Sequence, residues 1–144
     1  MTRRPARAFI CRRQRKKRME KISKSHEDYL EAIVMLGGAS SPVRAVDVAA
    51  KLGVSKASVS KAISALKEKG LADQPHYGDI TLTAEGRAYG TKVFDRHRAL
   101  TLFLHKAVGI DAAVAEEEAC IMEHAISDES FEKWLVFIDG LDIR

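Results

Sequence analysis

Apolar residues recur at helical spacing between His26 and Leu36, and the pair Gly37-Gly38 that follows provides a stop signal. The short, Ala-rich segment 46–52 predicts a second helix, although no good capping residue precedes it. After a turn at Gly53, a third helix is predicted to run to about Gly70 with one apolar face. Ser55 is predicted to cap this helix, and the residues of its buried face are predicted to be Val59, Ile63 and Leu66. The second and third helices, with the turn between them, form the helix-turn-helix pattern.

Two short segments, 71–74 and 80–82, flank the turn-rich sequence Pro75-His76-Tyr77-Gly78-Asp79 and predict a small β-hairpin. A hairpin directly after a helix-turn-helix is the wing of a winged helix. The remaining pattern is helical. A long helix is predicted from a cap at Thr83 to Val108, and its buried side chains are predicted to include Val93, Leu100, Leu104 and Val108. A second helix is predicted from Asp111 to about Ile126. A third, capped by Ser127 or Asp128, is predicted to end at about Asp139.

Six polar side chains at the start and on the outer face of the third helix are candidates for DNA contact: Ser55, Lys56, Ser58, Ser60, Lys61 and Lys67. His76 and Tyr77 at the hairpin tip are further candidates. A helix in the major groove needs short polar groups for the bases and positive charge for the phosphates. An ordinary solvated amphipathic helix is the alternative, but the hairpin and the net charge of +4 over residues 43–70 favour DNA binding.

Composition supports a helix-rich fold, since 46% of the residues are hydrophobic but only 6% are aromatic. The longest apolar stretch, from Leu100 to Ile110, contains His105 and Lys106 and is shorter than the roughly 20 residues that span a bilayer. No secretory signal follows the basic start, so we expect a cytoplasmic protein without membrane association. Two cysteines, Cys11 and Cys120, lie in regions of opposite charge, and we expect Cys120 to be a free thiol.

Charge is unevenly distributed along the chain. Residues 1–18 contain nine Arg and Lys and no acid, and they are expected to be either a disordered leader or an over-extended gene start. Residues 111–142 have a net charge of −9. This distribution indicates a basic element that faces a polyanion and an acidic element that either repels the polyanion or collects cations.

The acidic region holds the strongest candidate for chemistry. At about 100° per residue, one helix face carries a thiol, an imidazole and carboxylates, with Val114, Ile121 and Ala125 on the opposite side. The residues on that face are Glu116, Cys120, Glu123, His124 and Ser127. Each of these donor types is a common ligand of divalent transition metals. A solvated acidic face with an incidental cysteine is the alternative.

Other candidate ligands are Asp28 and Glu31, which read alone are ordinary surface acids, and His97, which read alone is a surface histidine among charges. We find no His-Glu-x-x-His, Glu-x-x-His, Gly-rich phosphate loop or Gly-x-Ser-x-Gly sequence, so we expect no enzyme.

Several motifs within residues 25–137 occur together: Glu27-Asp28-Tyr29-Leu30-Glu31-Ala32-Ile33, Asp47-Val48-Ala49, Ser58-Val59-Ser60-Lys61, Leu82-Thr83-x-x-Gly86, His97-Arg98, and Glu118-Ala119-Cys120-x-x-Glu123-His124-x-x-Ser127-Asp128. In this combination they resemble the diphtheria toxin repressor and manganese transport regulator family of metal-dependent bacterial transcription factors. The resemblance implies a mostly α fold, with a winged helix-turn-helix followed by a helical metal-binding and dimerisation domain. We expect domains at 19–90 and 91–144.

Matched position by position, the resemblance implies these metal ligands: Asp28, Glu31, His97, Cys120, Glu123 and His124. Asp28 and Glu31 are similar to the manganese branch, whereas Cys120 is similar to the iron branch. The ancillary site of the iron branch has a His where Glu116 stands and a Glu where Thr101 stands, so a second site involving Glu116 is expected to be altered. The expected cofactor is Fe2+, Mn2+ or Zn2+.

The function that the resemblance implies is a homodimeric repressor of metal-uptake genes, in which the metal acts as co-repressor and orders the dimer on a double-stranded operator. A winged-helix regulator that responds to a small organic ligand would have the same DNA-binding half, but would not need Cys120, Glu123 and His124 on one arc. A metalloenzyme would need an open coordination position and a substrate pocket, for which we find no motif.

Overall fold

A computed structural model describes residues 22–76 and 79–143. The predicted leader at 1–18, Tyr77, and the side chain of His76 lie outside the described residues. The first part of the chain forms a winged helix from elements that we number in chain order: α1 (Lys24–Met35), β1 (Val43–Arg44), α2 (Ala45–Leu52), α3 (Lys56–Glu68), β2 (Ala72–His76) and β3 (Asp79–Leu82).

The second part of the chain is helical. It consists of α4 (Ala84–Leu102), a π-helical segment (Phe103–Val108), α5 (Ala112–Ala125) and α6 (Asp128–Asp139). None of the described helices is long and apolar enough to cross a membrane. The order of these helices and strands confirms the predicted mostly helical fold with a small β wing.

The predicted capping residues start these helices through short local hydrogen bonds. The Ser55 hydroxyl accepts from the Ser58 N–H at 3.1 Å, and Ser127 accepts in the same way from Ser130 at 3.2 Å. Thr83 caps α4, and Asp111 caps α5. As expected, α2 begins after Arg44 without a side-chain cap. These bonds depend only on neighbouring residues, which explains why the sequence predicts these helix starts well.

The wing is a small antiparallel sheet in the described region, with strand order β1-β3-β2. The predicted hairpin forms β2 and β3, while β1 adds an unpredicted edge that pairs Val43 with Ile80. Two residues are too few to show an alternating pattern, so β1 becomes visible only through its partner strand.

Two hydrophobic clusters form in the described chain, one in each part. The first packs α1, α2, α3 and the sheet around fully buried residues such as Leu30, Ile63 and Ile80. The second packs the end of α4 against α5 and α6 around Leu100 and Phe131. The long helix α4 contacts both α1 and α5, and thereby connects the two parts.

Helices α1 and α4 approach each other closely at Gly90. A Cβ atom at this position would lie 2.8 Å from Cγ2 of Val34 and 3.1 Å from the backbone oxygen of Leu30. The absence of a side chain at Gly90 allows the two helices to come together, and this sets the separation between the polar groups that α1 and α4 carry one to two turns away.

The prediction that Val108 is buried is wrong, because 56% of this residue is exposed. From Phe103 onward the helix is π-helical, so each turn contains more residues than an α-helical turn. Val108 is the last residue of this segment, beyond the buried Leu104. Gly109 then ends the segment in the left-handed conformation, with φ 85°.

The cap of α3 can be tested by Ser55→Ala, which removes the acceptor for the Ser58 N–H. We expect the free energy of unfolding to fall by about 1 kcal/mol. Ser64→Ala is the matched control on the same helix, because the Ser64 hydroxyl donates back to the Ser60 carbonyl and this bond contributes little to helix stability. Urea denaturation of both variants measures the difference, and equal stabilities would contradict the assigned cap.

Candidate metal centre

Helix α1 supplies three carboxylates to the interior. Glu27 is 3% exposed and Glu31 is 6% exposed, while Asp28 is half-buried. Glu27 and Glu31 are four residues apart and share a face with Leu30, which is fully buried. The reading of Asp28 and Glu31 as surface acids is therefore wrong for Glu31.

Helix α4 contributes His97, which is buried rather than on the surface. Its Nε2 atom lies 2.8 Å from Oε1 of Glu116. Its Nδ1 atom lies 3.0 Å from Oε2 of Glu123 and 3.7 Å from Oε1 of Glu31. His97 is thus surrounded by acids from both neighbouring helices.

Helix α5 turns its polar side inward. Ala115, Ala119 and Glu123 are buried, whereas the bulkier Val114 and Ile121 on the other side are 43% and 63% exposed. Small alanines allow α5 to approach α4 closely. The interpretation of this face as solvated is therefore wrong at Glu123, which is 1% exposed.

The side chains meet in two groups that share Glu123. The first, which we name the cysteine cluster, consists of Asp28, Cys120, Glu123 and His124. One donor atom from each of these residues lies within 4.8 Å of the others. Nε2 of His124 is 2.8 Å from Oδ1 of Asp28 and 3.2 Å from Oε1 of Glu123.

The second group, which we name the carboxylate cluster, consists of Glu31, His97 and Glu123. Glu123 points one oxygen at each group, because Oε1 approaches His124 and Oε2 approaches His97. Glu116 borders the carboxylate cluster through its contact with His97 and is more exposed than the other members. All seven predicted ligands therefore lie in or beside one continuous site.

The acids of the site change the protonation of the two histidines. The pKa of His97 is raised to about 9, first by its interaction with Glu123 and against the opposing effect of burial. Burial lowers the pKa of His124, but the carboxylates of Asp28, Glu123 and Glu27 more than offset it and raise the value to about 11. Both imidazoles are therefore cationic in the metal-free protein at neutral pH.

The carboxyl and thiol groups respond in the same electrostatic environment. Burial, followed by the interaction with Glu123, raises the pKa of Glu31 to about 8. The pKa of Glu123 falls below its usual range, since the effect of burial is outweighed by His124, His97 and Glu31. Burial and the nearby Asp28 carboxylate raise the pKa of the Cys120 thiol. Protons on the histidines and on Glu31 thus offset part of the negative charge of the site.

A divalent metal fits this donor set. Both oxygens of Glu123 and Nδ1 of His97 are buried without a well-formed hydrogen bond to any described residue. Buried polar atoms of this kind normally have a partner. Because metal–ligand bonds to sulfur, nitrogen and oxygen are about 2.0–2.3 Å long, donors within 4.8 Å of one another can surround a single ion.

The predicted DNA-contacting residues of α3 lie on its exposed side. Ser55, Lys56, Ser58, Ser60, Lys61 and Lys67 are all exposed. Nζ of Lys67 is 3.6 Å from Oδ1 of Asp73, and both side chains of this pair are more than half exposed. Such a pair is weak and leaves Lys67 available to other anions.

Sequence reasoning missed two buried charged residues, and one of them, Glu27, contacts the site. Glu27 lies 3.3 Å from Nδ1 of His124 through its Oε2. Arg96 is 5% exposed, binds Oδ1 of Asp128 at 2.9 Å and the Ile126 carbonyl, and lies over the ring of Phe131. The signal for Glu27 is its helical spacing from Leu30 and Glu31, whereas nothing local distinguishes Arg96 from an exposed arginine.

A winged helix with exposed basic side chains, joined to a helical unit with a buried set of metal-type donors, defines a DNA-binding protein of the metal-responsive class. Two family models match nearly the whole described chain. They are the iron dependent repressor N-terminal DNA binding domain, over residues 21–80, and the iron dependent repressor metal binding and dimerisation domain, over residues 83–142. The chain belongs to this family of metal-dependent transcriptional regulators.

Individual relatives agree with the family. An HTH-type transcriptional regulator of Methanocaldococcus jannaschii is 34% identical over 82% of this chain and 95% of its own length. The transcriptional regulator MntR of Escherichia coli is 33% identical over 77% of this chain and 71% of its own. A solved manganese-dependent transcriptional repressor in complex with manganese is 32% identical, with a TM-score of 0.67, over 78% of this chain. This chain spans about half (52%) of the length of that structure.

Metal affinity should rise with pH, because His97, His124 and Glu31 must release protons before they bind a cation. Since the pKa values of Glu31 and His97 are raised to about 8 and about 9, the protonated forms compete at neutral pH and give way as pH rises through this range. We expect up to roughly a tenfold gain per pH unit for each proton released. Calorimetric Mn(II) titrations at several pH values, in buffers of different ionisation enthalpy, measure the metal affinity and the number of protons released on binding. An affinity that is constant from about pH 7 to 9 would contradict the proton-filled site.

Proposed function

We propose that this chain is a cytoplasmic, homodimeric, non-catalytic repressor of metal-uptake genes, with Fe2+, Mn2+ or Zn2+ as co-repressor. The observation that carries the proposal is the origin of the ligands. Asp28 and Glu31 belong to α1 of the winged helix, His97 belongs to α4, and Cys120, Glu123 and His124 belong to α5. A bound divalent cation supplies positive charge that these side chains share.

The proposed ligands hold the two parts of the chain in a defined relative position. Asp28 lies at the first turns of α1, and α1 packs directly on α3 within the same hydrophobic cluster. A restraint on α1 therefore also restrains α3, the proposed recognition helix. In a dimer, this restraint sets the separation of the two α3 helices, which must match DNA half-sites about 34 Å apart or a multiple of that distance.

The DNA-binding face is proposed on α3, from Ser55 to Lys67, with His76 and Tyr77 as further candidates at the wing. The exposure of the six α3 residues and the positive charge of this segment support this assignment. The short hydroxyl side chains of Ser58 and Ser60 can approach base edges, and Lys61 is assigned to sequence preference, while Lys67 is assigned to phosphate contact.

The second unit carries the proposed dimer surface. Ile121 on α5 and Val136 and Phe137 on α6 are 63%, 75% and 59% exposed. Several large apolar side chains on the surface of one small unit favour association with another protein surface. We also propose the domain boundary near residue 90, which falls inside α4 and makes this helix the mechanical connection between the two units.

Metal-stimulated DNA binding tests the proposal. Fluorescence anisotropy with DNA from upstream of metal-transporter genes would be measured with Mn(II), anaerobic Fe(II) or Zn(II), and after chelation. Asp28→Ala and His124→Ala should lower the metal-dependent gain in affinity at least roughly 100-fold, because each removes a direct ligand. Glu117→Ala is the matched control, since it removes an exposed acid from α5 and should retain the gain.

A winged-helix regulator of a small organic molecule is the competing function. An open cavity of about 890 Å³ lies beside α4 and α6, with Phe94, Leu102 and Leu135 among its apolar lining. DNA binding that is unchanged by chelator and by both ligand variants would overturn the metal-dependent function and favour an effector in this cavity.

Metal choice depends on Cys120, the soft donor of the cysteine cluster. Sulfur favours Fe(II), Co(II) and Zn(II) over Mn(II), which prefers oxygen. Cys120→Glu should therefore shift the ratio of affinities toward Mn(II), whereas Cys120→Ser should remove the near-ultraviolet charge-transfer band expected for a Co(II)–thiolate bond. Competitive metal titration and Co(II) absorption measure these changes. A wild-type Co(II) complex without this band would show that Cys120 is not a ligand.

A further inference from the structure

Glu27 holds His124 from the side opposite to the cysteine cluster. Oε2 of Glu27 lies 3.3 Å from Nδ1 of the imidazole. On the other side of the ring, Nε2 faces Oδ1 of Asp28 at 2.8 Å and Oε1 of Glu123 at 3.2 Å. The two ring nitrogens of His124 therefore have separate partners.

Glu27 itself is outside the donor set. The described side chains that bring donors within 4.8 Å of one another around His124 are Asp28, Cys120 and Glu123, and Glu27 is not one of them. Its carboxylate is nevertheless almost completely buried, and its Oε1 has no hydrogen-bond partner in the described structure. Burial of a carboxylate is costly unless it is paired, so the contact with His124 is its main compensation.

We propose that Glu27 is a positioning residue that accepts the Nδ1–H of His124 and thereby presents Nε2 to the metal site. This inference rests on the proposed metal-dependent function. A histidine that binds a metal through one nitrogen normally donates its other N–H to a carboxylate or carbonyl, which sets both the tautomer and the orientation of the ring. Here the acceptor comes from a helix 97 residues away in the chain.

The origin of Glu27 gives the contact a second consequence. Glu27 lies on α1, in the winged helix, and His124 lies on α5. The hydrogen bond therefore links the two units in addition to the bonds that the ligands would make to the metal. Loss of this bond should reduce the affinity of the site for metal. At a limiting metal concentration it should therefore also reduce the extent to which metal strengthens DNA binding.

Three substitutions distinguish the role of Glu27 as a hydrogen-bond acceptor from the volume that its side chain fills. Glu27→Leu fills much of the volume without an acceptor, Glu27→Asp keeps the charge but withdraws it by one methylene, and Glu27→Gln keeps an oxygen at full reach. Glu85→Gln, at an exposed position on α4, is the control. We expect Zn(II) affinity, measured by competition with a chromophoric chelator, to fall by about 10- to 100-fold in the Leu and Asp variants. The Gln variant should remain within a few-fold of wild type, and the control should be unchanged.

NMR of the 15N-labelled histidines of the zinc-loaded protein provides a readout that a purely structural role would not change. Wild type and Glu27→Gln should show His124 with a proton on Nδ1 and zinc on Nε2, whereas the Leu and Asp variants should lose this single pattern. If Leu and Asp bind Zn(II) like wild type with the same His124 signals, the role of Glu27 is overturned while the metal centre stands. If Leu does not fold, Asp against Gln makes the same comparison. A wild-type protein that binds none of Zn(II), Mn(II) and Fe(II) would overturn both the proposed function and this role.

Discussion

The structure depends on the burial of an acid-rich cluster between three helices. Glu27, Glu31 and Glu123 are each less than 10% exposed, and two buried histidines lie among them. Unpaired carboxylates in the interior would be strongly destabilising. In the metal-free protein, protons on His97, His124 and Glu31 provide the compensation, and the raised pKa values express this requirement.

The buried acid-rich cluster lies at the junction of the two units of the chain. It lies where α1 of the winged helix, the connecting helix α4 and helix α5 meet, so any change in its compensation acts on both units. Gly90 permits the close packing of α1 on α4, and Ala115 and Ala119 permit that of α5. Because small residues bring the backbones together, carboxylates on one helix reach imidazoles on another. On a single exposed helix the same groups would be solvated and would not connect the two units.

Local chemistry explains which elements could be predicted. The cap at Ser55, the apolar spacing of Val59, Ile63 and Leu66, and the turn at Gly53 each depend on neighbours within four residues, and the structure reproduces them. The strand β1 and the exposure of Val108 were not predicted, since one depends on pairing with β3 and the other on where the π-helical segment ends. The candidate ligands were named from their motifs, but whether Glu31, His97 and Glu123 are buried could not be read from any one helix.

The class of fold, the exposed basic side of α3 and the set of candidate donors could be predicted from the amino-acid sequence, because periodicity, caps and residue chemistry are local properties. The packing of the helices, by contrast, turns the polar side of α5 inward and leaves Val114 and Ile121 facing solvent. It also decided that Glu123 joins two clusters and that Glu27 contacts His124 across 97 residues. The physical reason is that burial and charge compensation depend on which helices meet, and distant parts of the chain contribute those helices.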